Sequence, residues 1–419
     1  MLPVNLGGHS AYQNTFVFEF LKLFPDPFVI PKDIWDIIVK FWYLDLSQTD
    51  IIMQDYYSLH GKPASRFPSC LLRSYLLSIA LNVTSITKWC GMLKITPLYA
   101  ILSGFPVDDT PGVGTFYDFF NRLWQSDNPN YISQIKHKKV KAEKGKKHGD
   151  KTPCDTNSAA SKLLPFLERF SLPNTNPFYF FGYHLYMFVA SDSINDLPVF
   201  PLLERASRHD MLSFLHAFFS MRSYLPEFHI EKLLLDAAHD SYPVYDYCRE
   251  NGITPFIDLN PGHTGHFKYK DDFTIGEDGV PVCQMGLRMH HDGVEKSKHR
   301  EKYRCPLANR KDGCKCKNPC SDSKYGRTVH VQQKDNPRLF NIPSRDSNDW
   351  KLEYNRRTSV ERSNKREKVD YKLEDGRHRS SKMWYCRLYA IMMLQHLDAW
   401  KTPTRVDTIF TFTRIATIT

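Results

Sequence analysis

Cysteine is scarce in this sequence, and long hydrophobic runs are absent. The 419 residues include 10 cysteines, and four of these fall between Cys305 and Cys320. In a chain of this size, such a cluster indicates metal ligands more than a disulfide scaffold. The most apolar stretch, Cys70–Val83, contains Arg73 and is too short to cross a bilayer. The first residues also lack the charged and apolar pattern of a targeting segment. We therefore expect a cytoplasmic protein with no membrane partner.

The chain has fewer acidic than basic residues. The chain has 46 Asp and Glu against 56 Lys and Arg, which gives a formal net charge of +10. This excess favours a polyanionic partner such as nucleic acid. Hydrophobic residues make up 42% of the chain and aromatics 14%, so we expect a globular protein and not a disordered one. The length allows two or three domains.

Residues 1–125 are predicted to form an all-helical N-terminal domain. Apolar residues recur at helical spacing in a segment opened by Pro31, in a second that begins near Pro68, and in a third over Ile86–Leu93. Thr115 is predicted to cap a further helix. The two short helices around the turn after Asn82 have two interpretations, a DNA-reading helix-turn-helix or an ordinary small helical domain.

Residues 126–149 form a predicted basic linker. Seven of the twelve residues from 136 to 147 are lysines, among them Lys138, Lys139, Lys146 and Lys147. Repulsion between like charges favours an extended, solvated segment. The same charges would bind DNA phosphates through counterion release. The two interpretations are compatible, and we predict that these lysines contact DNA.

Beyond the linker, aromatic and branched residues indicate β-strands. Apolar strands are predicted over residues 178–190, 231–236 and 254–258, with helical patterns between them, which is typical of an α/β core. We assign residues 150–260 to the first part of this core and residues 347–400 to its second part. Residues 261–346 are polar and rich in Lys, Arg, Gly and Cys, and are predicted to be an insertion. Residues 401–419 are assigned to a tail without a clear pattern.

The segment from Asp349 to about Asp370 is predicted to be a helix with one strongly polar face. At about 100° per residue, Tyr354, Arg357, Glu361 and Lys368 fall within an arc of about 60°. An Arg–Glu pair four residues apart is common on helix surfaces. The full spacing of phenol, guanidinium, carboxylate and ammonium instead indicates a functional face.

Two further carboxylates are candidates to act with Glu361. Asp236 ends an apolar strand, where an α/β sheet displays functional groups, although a helix-capping role is an equal alternative. Asp150 follows the basic linker and could be an ordinary turn residue. Three converging carboxylates would form an oxygen-rich site for Mg²⁺ or Mn²⁺, and two such ions can promote phosphodiester cleavage. Asp240 could support the metal ligands without binding the metal itself, or it could stabilise the start of a helix.

The clustered cysteines are candidates for a separate site. Cys305, Cys314, Cys316 and Cys320 are spaced C-x8-C-x-C-x3-C, unlike the paired C-x2-C motifs of common zinc sites. They could hold a structural Zn²⁺, or they could be reduced thiols in a basic loop.

These motifs together resemble the DDE transposases of bacterial insertion sequences. Tyr354, Arg357, Glu361 and Lys368 fill the Y-R-E-K signature of that family, which contains its third acid. The run G-D-K-T-P from Gly149 is similar to the family's G-D-G-T-P around the first acid, and L-L-L-D-A-A-H-D, which contains Asp236, is similar to the second. The Cys segment and the N-terminal G-F-P-V-D-D-T-P loop are similar to one branch of these enzymes.

The resemblance implies a ribonuclease-H-like catalytic core, interrupted by the polar Cys-rich insertion and preceded by the all-helical N-terminal domain. Asp150, Asp236 and Glu361 would bind Mg²⁺ or Mn²⁺. Water, and then a freed 3′-hydroxyl, would attack phosphodiesters at the element ends and in target DNA. Arg357 and Lys368 would hold phosphates, with Tyr354 stacking on or hydrogen-bonding to the DNA. The expected partners are double-stranded DNA and a second copy of the chain in the DNA complex, associated with the nucleoid.

One departure from the family pattern leaves alternatives open. Lys151 stands where the family has Gly after the first acid, which places a cation beside a metal ligand. Asp155 is therefore an alternative first acid. A nuclease without strand transfer would have the same core, and an inactive, decayed copy would only bind DNA. Joining of a cut end to target DNA would separate the first alternative from a transposase, and metal-dependent cutting would exclude the second.

Overall fold

The computed structural model describes residues 2, 8–57, 64–124, 183–206, 210–260, 267–269, 273–309, 313–376, 378 and 380–418. The chain divides into two compact units, each of which combines separate stretches of sequence. The first contains Met1–Tyr183, Leu197–Arg205 and Ser363–Thr419, and the second contains His184–Asp196 and Ala206–Arg362. The predicted basic linker and both candidates for the first acid lie outside the described residues. No helix in the described ranges has the length and apolar character needed to cross a membrane.

The N-terminal part of the first unit is helical, as predicted. Proline marks three helix starts here. Pro31 immediately precedes one helix, and Pro68 and Pro97 are the first residues of two others, where the missing N–H costs nothing. The predicted cap at Thr115 is wrong. Gly112 already occupies the capping position in an extended conformation, and the Thr115 N–H donates to the Gly112 carbonyl at 3.1 Å, inside the first turn. The helices are α1 (Gly8–Leu23), α2 (Lys32–Tyr43), α3 (Ser47–Ile52), α4 (Pro68–Ala80), α5 (Ile86–Ile95), α6 (Pro97–Ser103) and α7 (Val113–Leu123).

The second unit contains a strand–helix–strand element of parallel type. Strand β1 (Tyr183–Ala190) lies almost entirely in this unit, and β2 (Leu197–Arg205) lies in the first. Helix α8 (Asp210–Tyr224), β3 (Lys232–Leu235), α9 (Tyr242–Glu250) and β4 (Thr254–Ile257) follow. Strands β3 and β4 are parallel, with Leu235 opposite Ile257. The predicted alternation of strands and helices is therefore present, and the chain is a mixed α and β protein.

The predicted insertion forms small antiparallel sheets around a core of its own. One sheet has the order β5–β6–β7 and another the order β12–β9–β8. Apolar side chains from both, including Ile275, Tyr303 and Val331, are buried in one cluster. The strands are β5 (Phe267–Tyr269), β6 (Phe273–Ile275), β7 (Pro281–Val282), β8 (His290–Glu295), β9 (Arg300–Arg304), β10 (Ala308–Asn309), β11 (Gly313–Cys314) and β12 (Thr328–Gln332).

The end of the insertion is tied to the parallel strands by buried polar contacts. Arg338 donates to both carboxylate oxygens of Asp240, with a shortest distance of 2.6 Å, and both side chains are almost fully buried. Arg345 donates to the Ile257 carbonyl at 3.0 Å and to the Tyr245 hydroxyl at 2.9 Å. Neither of the two roles predicted for Asp240 was a buried ion pair. Its partner lies about a hundred residues further along the chain, so no local sequence pattern indicates it.

The C-terminal segments are helical. Helix α10 (Asn348–Asn355) is followed by α11 (Thr358–Lys365), by a π-helical turn (Arg366–Asp370), by α12 (Ser381–Asp398) and by α13 (Arg405–Ile418). The segment assigned to a patternless tail thus contains α13. Its Phe412 is fully buried, with ring centroids 4.9 Å from Trp42 and 5.6 Å from Phe20. Packing against the N-terminal helices orders this segment, which its own sequence pattern does not predict.

Candidate active site

Two acids end the two parallel strands at the same edge. Asp236 directly follows β3, and Asp258 directly follows β4. Because Leu235 pairs with Ile257 in the parallel register, the next residues emerge side by side at the carboxyl edge. This edge is where open α/β sheets carry their functional groups. Both acids are exposed to solvent.

Hydrogen bonds to its Oδ1 atom hold the Asp236 side chain in one orientation. The Ala238 N–H donates to Oδ1 at 3.1 Å, and His239 Nδ1 lies 2.6 Å from the same oxygen. A carboxylate only accepts hydrogen bonds, so His239 Nδ1 carries the proton. The buried His239 is fixed in turn by Tyr186, whose hydroxyl lies 3.0 Å from His239 Nε2. The second oxygen, Oδ2, makes no hydrogen bond to the described part of the chain and remains available to a ligand.

The surroundings of Asp236 favour its charged form. The hydrogen bond from His239 holds the pKa of Asp236 below its usual value, and the positive charge of Arg357 acts in the same direction. Burial opposes these effects only in part, because the side chain is 50% exposed. Asp236 is therefore an ionised carboxylate at neutral pH.

The helix that carries the Y-R-E-K residues is interrupted, which differs from the single helix expected from the sequence. Helix α10 ends at Asn355, and α11 begins at Thr358 after a tight turn in which the Arg357 N–H donates to the Tyr354 carbonyl at 2.9 Å. The π-helical turn then follows α11. The arc of about 60° predicted for the four side chains holds only for a helix that is regular from end to end. It therefore does not apply to this interrupted segment.

Three of the four Y-R-E-K residues lie together. The Arg357 guanidinium carbon is 5.8 Å from the centre of the Tyr354 ring, and Arg357 Nη1 is 3.2 Å from Glu361 Oε1. The Glu361 side chain is 60% exposed. Lys368 belongs to the other compact unit, where its ammonium is 2.8 Å from Glu374.

Electrostatic coupling links these residues to the strand edge. Arg357 pairs with Glu361 and also lowers the pKa of Asp236. Burial raises the pKa of Tyr354, and the charges of Asp258 and Asp236 raise it further. The charges of Asp236 and Asp258 thus act on Tyr354, and Arg357, which pairs with Glu361, acts on Asp236.

The remaining predicted site residues are placed as follows. Asp150, Asp155, Lys138, Lys139, Lys146 and Lys147 lie outside the described residues. Cys305 is buried directly after β9, Cys314 lies on β11, Cys316 is partly buried and Cys320 is exposed. Within the described ranges, no three His, Cys, Asp or Glu side chains are already arranged as a metal site.

Two residues of this candidate site, Asp258 and His239, were not predicted from the sequence. Asp258 carried a readable signal, since T-P-F-I-D repeats the pattern of L-L-L-D, an apolar run that ends in an acid. Two such strands in a parallel sheet place their terminal acids at one edge. His239 carried no such signal, because its contact with Tyr186 depends on long-range packing.

Comparisons of the chain with protein-family models, with curated proteins and with solved structures gave no match. The case for a family therefore depends on the motifs and on this geometry. Chemically, the site offers exposed carboxylate oxygens beside a guanidinium. Carboxylate oxygens are the ligands that hard divalent metal ions prefer, and a guanidinium can bind a phosphate.

Proposed function

We propose that the chain is a DDE-type DNA transposase that cuts phosphodiester bonds at insertion-sequence ends and joins them to target DNA. The observation that carries this proposal is the position of Arg357, which pairs with Glu361 at 3.2 Å and lowers the pKa of Asp236. These two acids are distant in the chain, and the sequence motifs assign both to one metal site. Arg357 pairs with Glu361 and acts electrostatically on Asp236, which supports that assignment.

The parallel element β3–α9–β4 supports a ribonuclease-H-like core. Asp236 at the carboxyl edge of β3 and Glu361 on helix α11 are the positions that the family resemblance implies for the second and third acids. Residues between the basic linker and β1 would supply the first acid, Asp150 or its alternative Asp155. The antiparallel insertion between β4 and α10 would interrupt this core, as the sequence indicates.

The carboxylates suit the metal ions that this chemistry requires. Asp236 keeps one oxygen without a hydrogen bond to the described residues, and Asp258 and Glu361 are exposed. Mg²⁺ and Mn²⁺ prefer such oxygen ligands, and when bound they would activate the attacking hydroxyl and stabilise the leaving oxygen. His239 would hold Asp236 in the orientation of a ligand, as partners of metal ligands do.

The site also offers groups for the DNA backbone. Arg357 would bind phosphate near the scissile bond, and Lys368 and the linker lysines would add positive charge. Tyr354 already stacks on Trp350, with ring centroids 4.5 Å apart. This contact favours its hydroxyl, and not its ring face, as the group that meets DNA. The N-terminal helices and a second copy of the chain would complete the assembly on the element ends.

The test is an end-cutting and joining assay with the full chain. Duplexes carrying the genomic DNA on either side of the reading frame are incubated with Mg²⁺ or Mn²⁺ and a supercoiled plasmid as target. We expect nicked ends and plasmid-joined products that a chelator abolishes. Asp236→Asn and Glu361→Gln should each remove both products, while Glu250→Gln, an exposed acid at the end of α9, should leave them unchanged.

Each other outcome selects a different function. Nicked ends without joined plasmid would indicate a nuclease. Specific binding of the duplexes without cutting in either metal would indicate a binding-only protein. If Glu361→Gln cuts as well as the wild type, the proposed active site is wrong. Comparing Asp150→Asn with Asp155→Asn in the same assay would identify the first acid.

A further inference from the structure

Tyr186, on β1, is linked to the candidate active site through one histidine. Its hydroxyl lies 3.0 Å from His239 Nε2, and His239 Nδ1 lies 2.6 Å from Asp236 Oδ1. All three residues belong to the second unit, although Tyr186 and His239 are 53 residues apart in the chain. The contacts therefore form one hydrogen-bonded series that begins on a strand and ends at an exposed carboxylate.

The direction of each hydrogen bond follows from the groups at its ends. The Asp236 carboxylate only accepts, so the imidazole carries its proton on Nδ1, and Nε2 of the neutral ring accepts from the Tyr186 O–H. Burial raises the pKa of Tyr186, and the charges of Asp236 and Asp210 raise it further. The phenol therefore keeps its proton and favours the tautomer in which His239 donates to Asp236.

Aromatic rings confine the imidazole between its two partners. The centre of the His239 ring lies 5.5 Å from that of Phe214 and 5.9 Å from that of Tyr186, and both pairs meet edge to face. His239 is buried, so its nitrogens depend on protein groups for their hydrogen bonds. A ring confined in this way transmits the position of the Tyr186 hydroxyl to Asp236.

The same contacts decide which oxygen of Asp236 is available. Oδ1 accepts from His239 and from the Ala238 N–H at 3.1 Å, whereas Oδ2 accepts from no group in the described part of the chain. We propose that Tyr186 is a positioning residue of the active site, which acts through His239 to keep Oδ1 occupied and Oδ2 as the metal-binding oxygen of Asp236. This inference rests on the proposed function, because it takes Asp236 as a metal ligand.

Two substitutions separate this role from simple packing. The Tyr186 ring also contacts Phe188 and Phe214, with centroids 5.6 and 6.4 Å away. Tyr186→Phe keeps these ring contacts and removes only the hydroxyl. His239→Asn keeps an N–H donor near the position of Nδ1, but its shorter side chain has no atom that reaches the Tyr186 hydroxyl.

The experiment measures Mn²⁺ binding to the full-length protein by electron paramagnetic resonance, counting only the binding that Asp236→Asn removes. The Mn²⁺ dependence of end cutting is measured in parallel. Tyr186→Phe should need about 10-fold more Mn²⁺ for half-saturation in both measurements, with cutting nearly restored at saturating metal. In the His239→Asn background, Tyr186→Phe should cause no further shift, because its hydroxyl has no partner there.

Tyr247→Phe is the matched control. It makes the same chemical change in the same unit, where the Tyr247 hydroxyl accepts from Arg222 Nη1 at 3.3 Å. This variant should bind Mn²⁺ and cut DNA like the wild type. A variant that is only less stable would have fewer binding sites at an unchanged half-saturation concentration.

Two results would overturn this proposal and leave the proposed function intact. One is a Tyr186→Phe protein with the wild-type half-saturation concentration, whether or not its number of sites falls. The other is an equal shift in the wild-type and His239→Asn backgrounds, since Tyr186 would then not act through His239. A wild type that neither binds Mn²⁺ through Asp236 nor cuts DNA would overturn both proposals, so the two failures are distinguishable.

Discussion

A buried carboxyl group on the π-helical turn gives a quantitative prediction. Glu367 is completely buried, and its Oε1 atom accepts from Gln395 Nε2 at 3.3 Å. Its Oε2 atom has no hydrogen-bond partner in the described part of the chain. Gln395 in turn accepts from the Ser363 hydroxyl at 3.2 Å. Burial raises the pKa of Glu367 from 4.5 to about 7, because the charged form loses its water.

This shift sets the size and direction of a pH effect on stability. Moving one pKa from 4.5 to about 7 corresponds to about 3 kcal/mol of folding free energy. The folded protein holds the proton more tightly than the unfolded chain does. Stability therefore falls as the pH rises from about 4.5 to about 7, and the loss is complete above that range. Glu367→Gln removes the ionisation while keeping nearly the same shape.

Urea denaturation of the wild type and Glu367→Gln between pH 4.5 and 8 tests this reasoning. We expect nearly equal stabilities at the acid end, and at pH 8 an advantage of about 3 kcal/mol for the variant. Glu374→Gln is the control, since Glu374 is exposed and pairs with Lys368 at the surface. It should follow the wild-type pH dependence. Parallel curves for the wild type and Glu367→Gln would refute the argument.

Three further predictions concern the site and the packing that supports it. Asp258→Asn should lower metal-dependent DNA cutting by about 10- to 100-fold in a nicking assay, with DNA binding unchanged in a gel-shift assay. If the variant cuts as well as the wild type, Asp258 is not part of the site. Arg338→Met should lower the free energy of unfolding by about 3–5 kcal/mol, because it leaves the buried Asp240 charge without its cationic partner, with only the Tyr245 hydroxyl and the Asn260 N–H among the described residues still donating to it. Adding Asp240→Asn should restore most of that loss in urea denaturation, and additive losses would contradict this. Phe412→Ala should lower the free energy of unfolding by about 3–5 kcal/mol, because it opens a cavity among the N-terminal aromatic rings. An unchanged midpoint of thermal unfolding would show that α13 does not stabilise the N-terminal helices.

Local sequence determined the elements whose pattern is short-range. Prolines at helix starts, helical spacing of apolar residues and the runs that end in Asp236 and Asp258 could all be read directly. Proline and strand propensity act within a few residues, so these features need no knowledge of the fold. The spacing of Arg357 and Glu361 likewise belongs to one local segment.

Tertiary structure alone decided which distant groups meet. The ion pair of Asp240 with Arg338 and the packing of α13 both depend on partners far along the chain. So does the position of Cys283 at a cavity that Cys305, Cys316 and Cys320 also line. Such contacts arise because buried charges require partners and apolar faces require cover, and the sequence does not state which distant residue provides them.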